Sequence, residues 1–529
     1  MPHTLNRRTA LKGAAASLVA MTLGRRGWAG LDGLELGPAR PFTFEGLIET
    51  AYRMAREDYG APPRPAPALV DRIDYDEHGA LQFRRDHALF SDGSGAFPVT
   101  FFPLGKFFPK RIEMHVVRDG EAREIRYLPA YFDIPAGNPA GQLPADAGFA
   151  GFRVHECRCR SDWRRQDWVA FLGASYFRAI GALGQYGLSA RGIAIDTAQP
   201  QGEEFPDFRE FYIEEQNDEN APVMIHALLD GPSVSAAYRF ALRRTEGVDM
   251  EVEAHVFLRC TVEVLGFAPL TSMYWYSERD RPYHIDWRPE IHDSDGLALW
   301  TGTGERIWRP LNNPDSVRVS SFFDHRPRGF GLMQRDRDFE NYLDGVHYER
   351  RPSVWVEPLE DWGKGSVRLI ELPTTDEIHD NIVCFWVAEA RPSKGTAFRF
   401  RYRLRWSDDH PYAPERIAPV FATYSGRGGL AAQSGPDGGA VKYVVEFDGP
   451  SLGELDSQRR PEAKVSASRG EISRTAVERV PGTDRWRALF ELLAAVGDPV
   501  ELRLYLALDG KPLTETWLYQ HLPELMPRT

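Results

Sequence analysis

The chain has 529 residues, 42% of them hydrophobic and 12% aromatic, with a formal net charge of −12 and a pI near 5.7. That length exceeds one compact core, so two or more domains are expected. The acidic balance argues against nucleic acid or an anionic membrane as a partner.

Arg7 and Arg8 precede an apolar stretch from Gly13 to Leu23, and Gly27-Trp28-Ala29 places small residues at −3 and −1 of a cleavage site. This pattern predicts a twin-arginine signal peptide over residues 1–29. Its apolar part is too short for a stable anchor, and no later run reaches the roughly 18 apolar residues of a membrane span. The mature chain is therefore expected in the periplasm, without membrane insertion. Losing Arg7, Arg8, Lys12, Arg25 and Arg26 with the leader makes it more acidic still.

Thr43 is placed to cap a helix whose apolar residues are Phe44, Leu47, Ile48, Ala51, Tyr52 and Ala55, with Gly60, Pro62 and Pro63 ending it. Beyond it, period-two patterning dominates. Val248, Met250, Val252, Ala254, Val256 and Leu258 alternate with mainly polar residues. Phe398, Phe400, Tyr402, Leu404 and Trp406 alternate with arginines, and Val500, Leu502, Leu504, Leu506 and Leu508 repeat the pattern. Asp119-Gly120 and Asp509-Gly510 suit tight hairpin turns. Phe171 to Gly181 fits neither period and is left unassigned.

The expected fold is all-β, with a large curved β-sandwich over residues 30–406. Ser407 to Pro414 is polar and proline-bearing, and Gly426-Arg427-Gly428-Gly429 and the Gly435 to Gly439 segment follow. An immunoglobulin-like β-sandwich is expected over 410–529.

Cys157 and Cys159 flank Arg158, where a strand points both side chains to one face. With Cys260 and Cys384 they form no zinc-type or C-x-x-C spacing, so buried free thiols are expected and no metal or cofactor is assigned. His284, Asp286, His292, Asp293 and Asp295 are ligand types, but their spacing is unspecific and a strand separates His292 from Asp293. Ser175 lacks the second glycine of a nucleophile elbow and reads as a polar core or cleft residue.

Two acidic turns carry the strongest chemical suggestion: Ile291 to Gly296, before an apolar run Leu297 to Trp300, and Thr374 to Asn381, before Ile382 to Val387. Asp, Asn and Gly are ordinary turn formers, yet carboxylates at strand ends can be aimed into a cleft. Inverting glycoside hydrolysis needs one protonated carboxyl and one carboxylate, about 6.5–9.5 Å apart. Around these turns lie Tyr274, Trp275, Tyr276, Tyr283, Trp287, Trp300, Trp308, Tyr342, Tyr348, Trp355, Trp362 and Trp386, aromatics on which sugar faces stack. At least half are expected to fill the β core instead.

Trp287 to Gly296, Trp308 to Pro314, Arg351 to Pro358, Trp362 to Ser366, Pro373 to Thr375 and Asp380 to Val383 resemble signatures of the periplasmic glucan biosynthesis proteins, the OpgG/OpgD (MdoG/MdoD) family. So do Gly148 to Arg153, Phe171 to Arg178, Tyr186 to Gly192 and Glu203 to Phe208. The twin-arginine leader is D-type, whereas Trp287 to Glu290 looks more like the G branch. The resemblance spans the mature chain and implies a cleft-bearing sandwich plus an immunoglobulin-like one. It implies work on β-1,2-glucan chains by inverting hydrolysis or by glycosyl transfer. Asp380 matches the general acid and Asp293 the general base, acting through a relay. Glu377, Tyr348 and Asp295 fall on the proton path or bind glucose, and Trp355, Arg191 and Tyr186 stand among the matched motifs as substrate-binding candidates. Asn341 and the Asp376 to His379 segment sit where the relay passes. Other readings remain: a glucan-binding scaffold in export or branching, or an assembly protein docking a membrane glucan synthase.

Overall fold

The computed structural model describes residues 33–281, 284–408, 417–429, 440–453, 455 and 459–523. The leader, Tyr283, the 409–414 segment and the 435–439 glycine stretch lie outside the described residues.

Among the described residues strands account for 46% and helix for 9%, so the core is made by packing sheet on sheet. The main helix, Phe44–Met54, starts where Thr43 accepts a hydrogen bond from the Gly46 N–H at 3.0 Å. Its buried Phe44, Leu47 and Ala51 pack on Tyr212, Leu228 and Ala237. The helix stops before Gly60, with Ala55 as its C-cap.

The strands Val248–Leu258 and Ala397–Ser407 pair antiparallel, with Val252 opposite Tyr402 and Val248 opposite Trp406. Their apolar residues face inward, and the outward acids meet the outward arginines. Arg403 binds Glu251 at 2.7 Å and Arg405 binds Asp249 at 3.2 Å. Each such surface pair contributes at most about 1 kcal/mol, so the arginines chiefly fix register and solubility. The two Asp-Gly turns have the positive φ angles a tight hairpin needs: 51° and 76° at Asp119-Gly120, 50° and 76° at Asp509-Gly510.

Among the described residues, a sixteen-stranded sheet faces a ten-stranded one. Phe152 and Phe171 of the smaller sheet meet Phe211 and Phe240 of the larger at ring distances of 4.9 and 5.3 Å. Phe267 stacks on Phe400 at 3.8 Å. The Phe171 to Gly181 stretch is a hairpin, Asp167–Leu172 into Tyr176–Ala179, turned by positive φ at Gly173 and Ala174. Three residues of turn interrupt either period, which is why the pattern was illegible.

Past residue 417 a four-stranded sheet, including Val420–Arg427, Ala440–Phe447 and Trp486–Leu493, covers a second layer. That layer is not separate. Thr516–His521 pairs in parallel with Arg306–Pro310, placing Trp517 beside Trp308, and Val500–Leu508 follows it in the same sixteen-stranded sheet. Tyr443, Phe490 and Trp517 share one core with Trp308, Met333 and Trp355. Buried Glu515 accepts from Arg335 Nη1 and Nη2 at 2.8 and 2.9 Å and from the Val420 N–H at 2.9 Å. The boundary after Trp406 thus divides the sequence, while one sheet crosses it.

Cys157 and Cys159 lie in a turn after the Gly151–His155 strand rather than on a strand face. All four cysteines are free thiols, but only Cys384 is buried, which corrects the expectation of buried thiols.

Candidate functional site

Both acidic turns hang from the end of one strand, Leu265–Ser272, of the ten-stranded sheet. Ser272 pairs with Ile382, the residue two beyond Asp380. The Asp293 N–H donates to Met273 O at 2.8 Å. Asn381 Oδ1 accepts from the Tyr274 N–H at 2.8 Å, and its Nδ2 donates to Tyr274 O and Leu372 O at 2.9 and 3.0 Å. The Ser272 and Ser294 hydroxyls lie 2.8 Å apart. A buried residue beside each carboxylate is therefore locked to residues 272–274, and Asp293 and Asp380 are aimed from a common frame.

Asp380 shows its carboxyl to solvent from the cleft, but protein walls surround it closely enough for desolvation to raise its pKa. Arg178, Arg191 and Arg351 pull in the opposite direction. Among the described residues no donor is bonded to this carboxyl. Asp293 is only 6% exposed and is ion-paired to Arg351. Burial raises its pKa, Arg351 opposes the rise, and the nearby charge of Asp380 adds to it. Burial thus raises both carboxyls, but only Asp293 has a paired cation that favours its anion, while Asp380 has no bonded donor among the described residues.

A chain of contacts joins the two turns. The Arg351 guanidinium lies 4.4 Å from the Tyr348 ring centre. The Tyr348 hydroxyl donates to Glu377 Oε2 at 2.6 Å, and Arg288 Nη1 donates to the same oxygen at 2.8 Å. Arg288 also binds Asp344 at 3.2 Å and Asp286 at 3.1 Å. Burial, with this bond to Glu377, pushes the Tyr348 pKa up, so it remains a phenol that donates. Asp376, by contrast, accepts from the Ile378 N–H at 2.9 Å and shapes its own turn.

The opposite wall is built on Arg191, which donates to Thr271 Oγ1 at 2.7 Å and to Glu203 Oε1 at 2.6 Å. Its guanidinium lies 4.8 Å from the Tyr176 ring centre. Burial raises the Tyr176 pKa and the charge of Asp380 adds to it, so this ring borders the acid. Tyr176, Arg178 and Tyr186 line a groove of about 280 Å³, where the Tyr186 hydroxyl donates to Asp167 Oδ2 at 2.7 Å.

Asp380, Asp293, Glu377, Tyr348 and Arg191 therefore share one neighbourhood, with Tyr186 along the adjoining groove. Three anticipated residues lie elsewhere. Trp355 is 4% exposed in the core shared with Trp308 and Trp517, so it fills the junction of the two parts rather than a cleft wall. Asp295 and Asn341 line a separate cavity of about 1060 Å³ beside the C-terminal sandwich, with Glu278, Glu290 and Tyr424. There Asp295 Oδ2 accepts from the N–H groups of Arg335 and Asp336 at 3.0 and 3.1 Å. Near this cavity His292 Nε2 lies 2.9 Å from Glu290 Oε2. Burial lowers the His292 pKa, but the Glu290 bond outweighs it and holds the imidazole up at about 9.

The ligand-type residues between 284 and 295 diverge: His284 stacks on Tyr276, Asp286 binds Arg288, and Asp293 binds Arg351. Ser175 is buried. Among the aromatics around the turns, Tyr274, Tyr276, Trp308, Tyr342, Tyr348, Trp355, Trp362 and Trp386 are buried, and Trp287 is exposed. The cleft is lined more by arginine and tyrosine than by tryptophan. Sequence reasoning missed Arg351, Arg178, Arg288 and Asn381 as parts of the site. A signal existed for the arginines, since buried carboxylates require cations and each lay within a matched motif.

These features define the class: a multi-sheet β-sandwich protein with two unlike carboxyls at the ends of one sheet. A family model described as "Periplasmic glucan biosynthesis protein, MdoG" matches residues 42–521, and the chain belongs to this family. It is 54% identical over 503 residues to glucans biosynthesis protein D 2 of Ralstonia nicotianae, covering 93% of each chain. It is 44% identical to glucans biosynthesis protein D of Xanthomonas campestris, covering 98% of each. The protein of that name from Stenotrophomonas maltophilia is also 44% identical, over 96% of this chain and 94% of the relative. Among the described residues no helix is long and apolar enough to cross a membrane.

Proposed function

We propose that the protein is a periplasmic enzyme of glucan biosynthesis, exported by the twin-arginine pathway, that acts on β-1,2-glucan with inversion. Asp380 protonates the glycosidic oxygen, and Asp293 receives the proton of the attacking water or sugar hydroxyl. The observation that carries this reading is the asymmetry of the pair: burial raises both carboxyls, but Asp293 is ion-paired to Arg351, which favours its anion, whereas Asp380 has no bonded donor among the described residues. Inverting chemistry needs that division between acid and base. Asp293 is too buried to meet bulk solvent freely, so its proton arrives through a relay, for which the Tyr348 hydroxyl and Glu377 are the adjacent groups.

The test is incubation of the mature protein with linear β-1,2-glucan, followed by mass spectrometry of the products, beside Asp380→Asn. Shorter linear chains identify hydrolysis, and products lighter by one water identify cyclisation by transfer. An unchanged glucan that still binds would overturn the enzymatic reading and leave a glucan-binding scaffold.

A further inference from the structure

Cys157 and Cys159 have no part in the glucan site, and their spacing alone suggests no ligand. The tertiary structure adds a third group. Glu219, from the loop between the strands Asp207–Glu214 and Val223–Asp230, reaches the turn that carries both cysteines. The Cys157 thiol donates to Glu219 Oε2 at 3.0 Å, and the Cys159 N–H donates to Cys157 Sγ at 3.1 Å. One ligand atom from each residue lies within 4.8 Å of the other two. Tetrahedral zinc, with Zn–S near 2.3 Å and Zn–O near 2.1 Å, spaces its ligand atoms about 3.5–3.8 Å apart, so small side-chain motions suffice.

We propose that Cys157, Cys159 and Glu219 form a binding site for one soft divalent cation of the zinc type, with water completing the tetrahedron. Binding makes two metal–sulfur bonds and one metal–oxygen bond, and the two thiol protons pass to solvent. Two thiolates with a carboxylate suit zinc or cadmium, whereas calcium and magnesium prefer oxygen alone. The neighbouring arginines are drawn away by partners of their own. Arg158 Nε donates to Gly95 O at 3.1 Å, and Arg160 pairs with Asp162 at 2.9 Å.

The location gives the ion a structural role. The cysteines follow a strand of the ten-stranded sheet, and Glu219 follows a strand of the sixteen-stranded one. Main-chain bonds such as Ala96 N–H to Gln216 O at 2.7 Å and Arg158 N–H to Ala96 O at 3.1 Å, with the Arg244–Glu156 pair at 2.9 Å, also bridge this end. A cation here clips the two sheets together at one end of the sandwich.

The test uses untagged, reduced, metal-free mature protein titrated with Cd²⁺ and Zn²⁺. One equivalent of Cd²⁺ should bring in thiolate-to-metal absorption in the ultraviolet, and Zn²⁺ should displace it while raising the melting temperature. Both responses should vanish in the C157S/C159S double variant, and E219Q should weaken binding at least tenfold. Absence of stoichiometric binding by the reduced protein overturns the proposal. So does an unchanged response in the double variant. Spontaneous loss of two hydrogens by mass in air, with no cation able to prevent it, also overturns it by assigning the pair to a disulfide.

Discussion

Asn381 grips Tyr274 by both main-chain polar groups, accepting from its N–H at 2.8 Å and donating to its carbonyl at 2.9 Å. This side chain is 2% exposed and ties the residue after Asp380 to the strand end that also holds Asp293. Asn381→Ala leaves buried main-chain groups unsatisfied, which costs about 1–3 kcal/mol. Misplacing the acid by about 1 Å costs roughly a hundredfold in turnover. The measurement is urea unfolding beside kcat on linear glucan; a stable variant with full kcat would remove Asn381 from the positioning role.

Tyr348 packs its ring against the Arg351 guanidinium and donates its hydroxyl to Glu377. Tyr348→Phe keeps the ring under Arg351 and deletes the bond to Glu377, which Arg288 still satisfies. Stability should change by about 1 kcal/mol or less. Turnover should fall at least tenfold with KM little changed, as expected for a relay group. A change in KM alone would assign Tyr348 to binding.

Activity should follow a bell-shaped pH profile set by the pair rather than by either carboxyl alone. Asp380 acts while protonated, so its burial-raised pKa places the alkaline limb above the ordinary aspartate value of about 3.9. Arg178 lowers that pKa, so Arg178→Gln should move the alkaline limb to higher pH. A shift to lower pH, or none, contradicts the assignment of Asp380 as acid.

Glu278 and His292 should each take stability away as pH rises. Burial, reinforced by Glu290, raises Glu278 from 4.5 to about 8. A carboxyl that holds its proton more tightly when folded stabilises fully at low pH and loses that contribution between those two values. His292, held up at about 9, contributes below pH 6.5 and loses its contribution as pH passes 9. Glu278→Gln should flatten the decline between pH 4.5 and 8 in urea midpoints; an unchanged slope would place the titration elsewhere.

Trp355 separates packing from binding. A Cβ added at Gly329 would stand 2.3 Å from the Trp355 ring, so this indole is held tightly across the sheet. Trp355→Ala should destabilise by about 3–5 kcal/mol, and Gly329→Ala by about 1–3 kcal/mol. Glucan affinity of the folded fraction should hold; a selective loss of affinity at full stability would restore Trp355 to the substrate.

Local chemistry was legible along the chain wherever it was local in space. Thr43 announced its helix because a cap needs only the next turn, and Asp119-Gly120 announced a hairpin because φ > 0 is a property of the residues themselves. Alternation in Val248–Leu258 and Ala397–Ser407 predicted both strands, but only the sheet showed that they pair and that their charges neutralise each other. The motifs around Asp293 and Asp380 identified the family, and the amino-acid sequence went no further. That both turns depend on residues 272–274, that Arg351 pairs with Asp293 while Asp380 has no bonded donor among the described residues, and that Trp355 is core were settled by the fold. So was the meeting of Glu219 with two cysteines 60 or more residues away. Caps and turns arise from neighbours in sequence, whereas ion pairs, desolvation and ligand geometry arise from groups that only a closed sheet brings within a few ångströms.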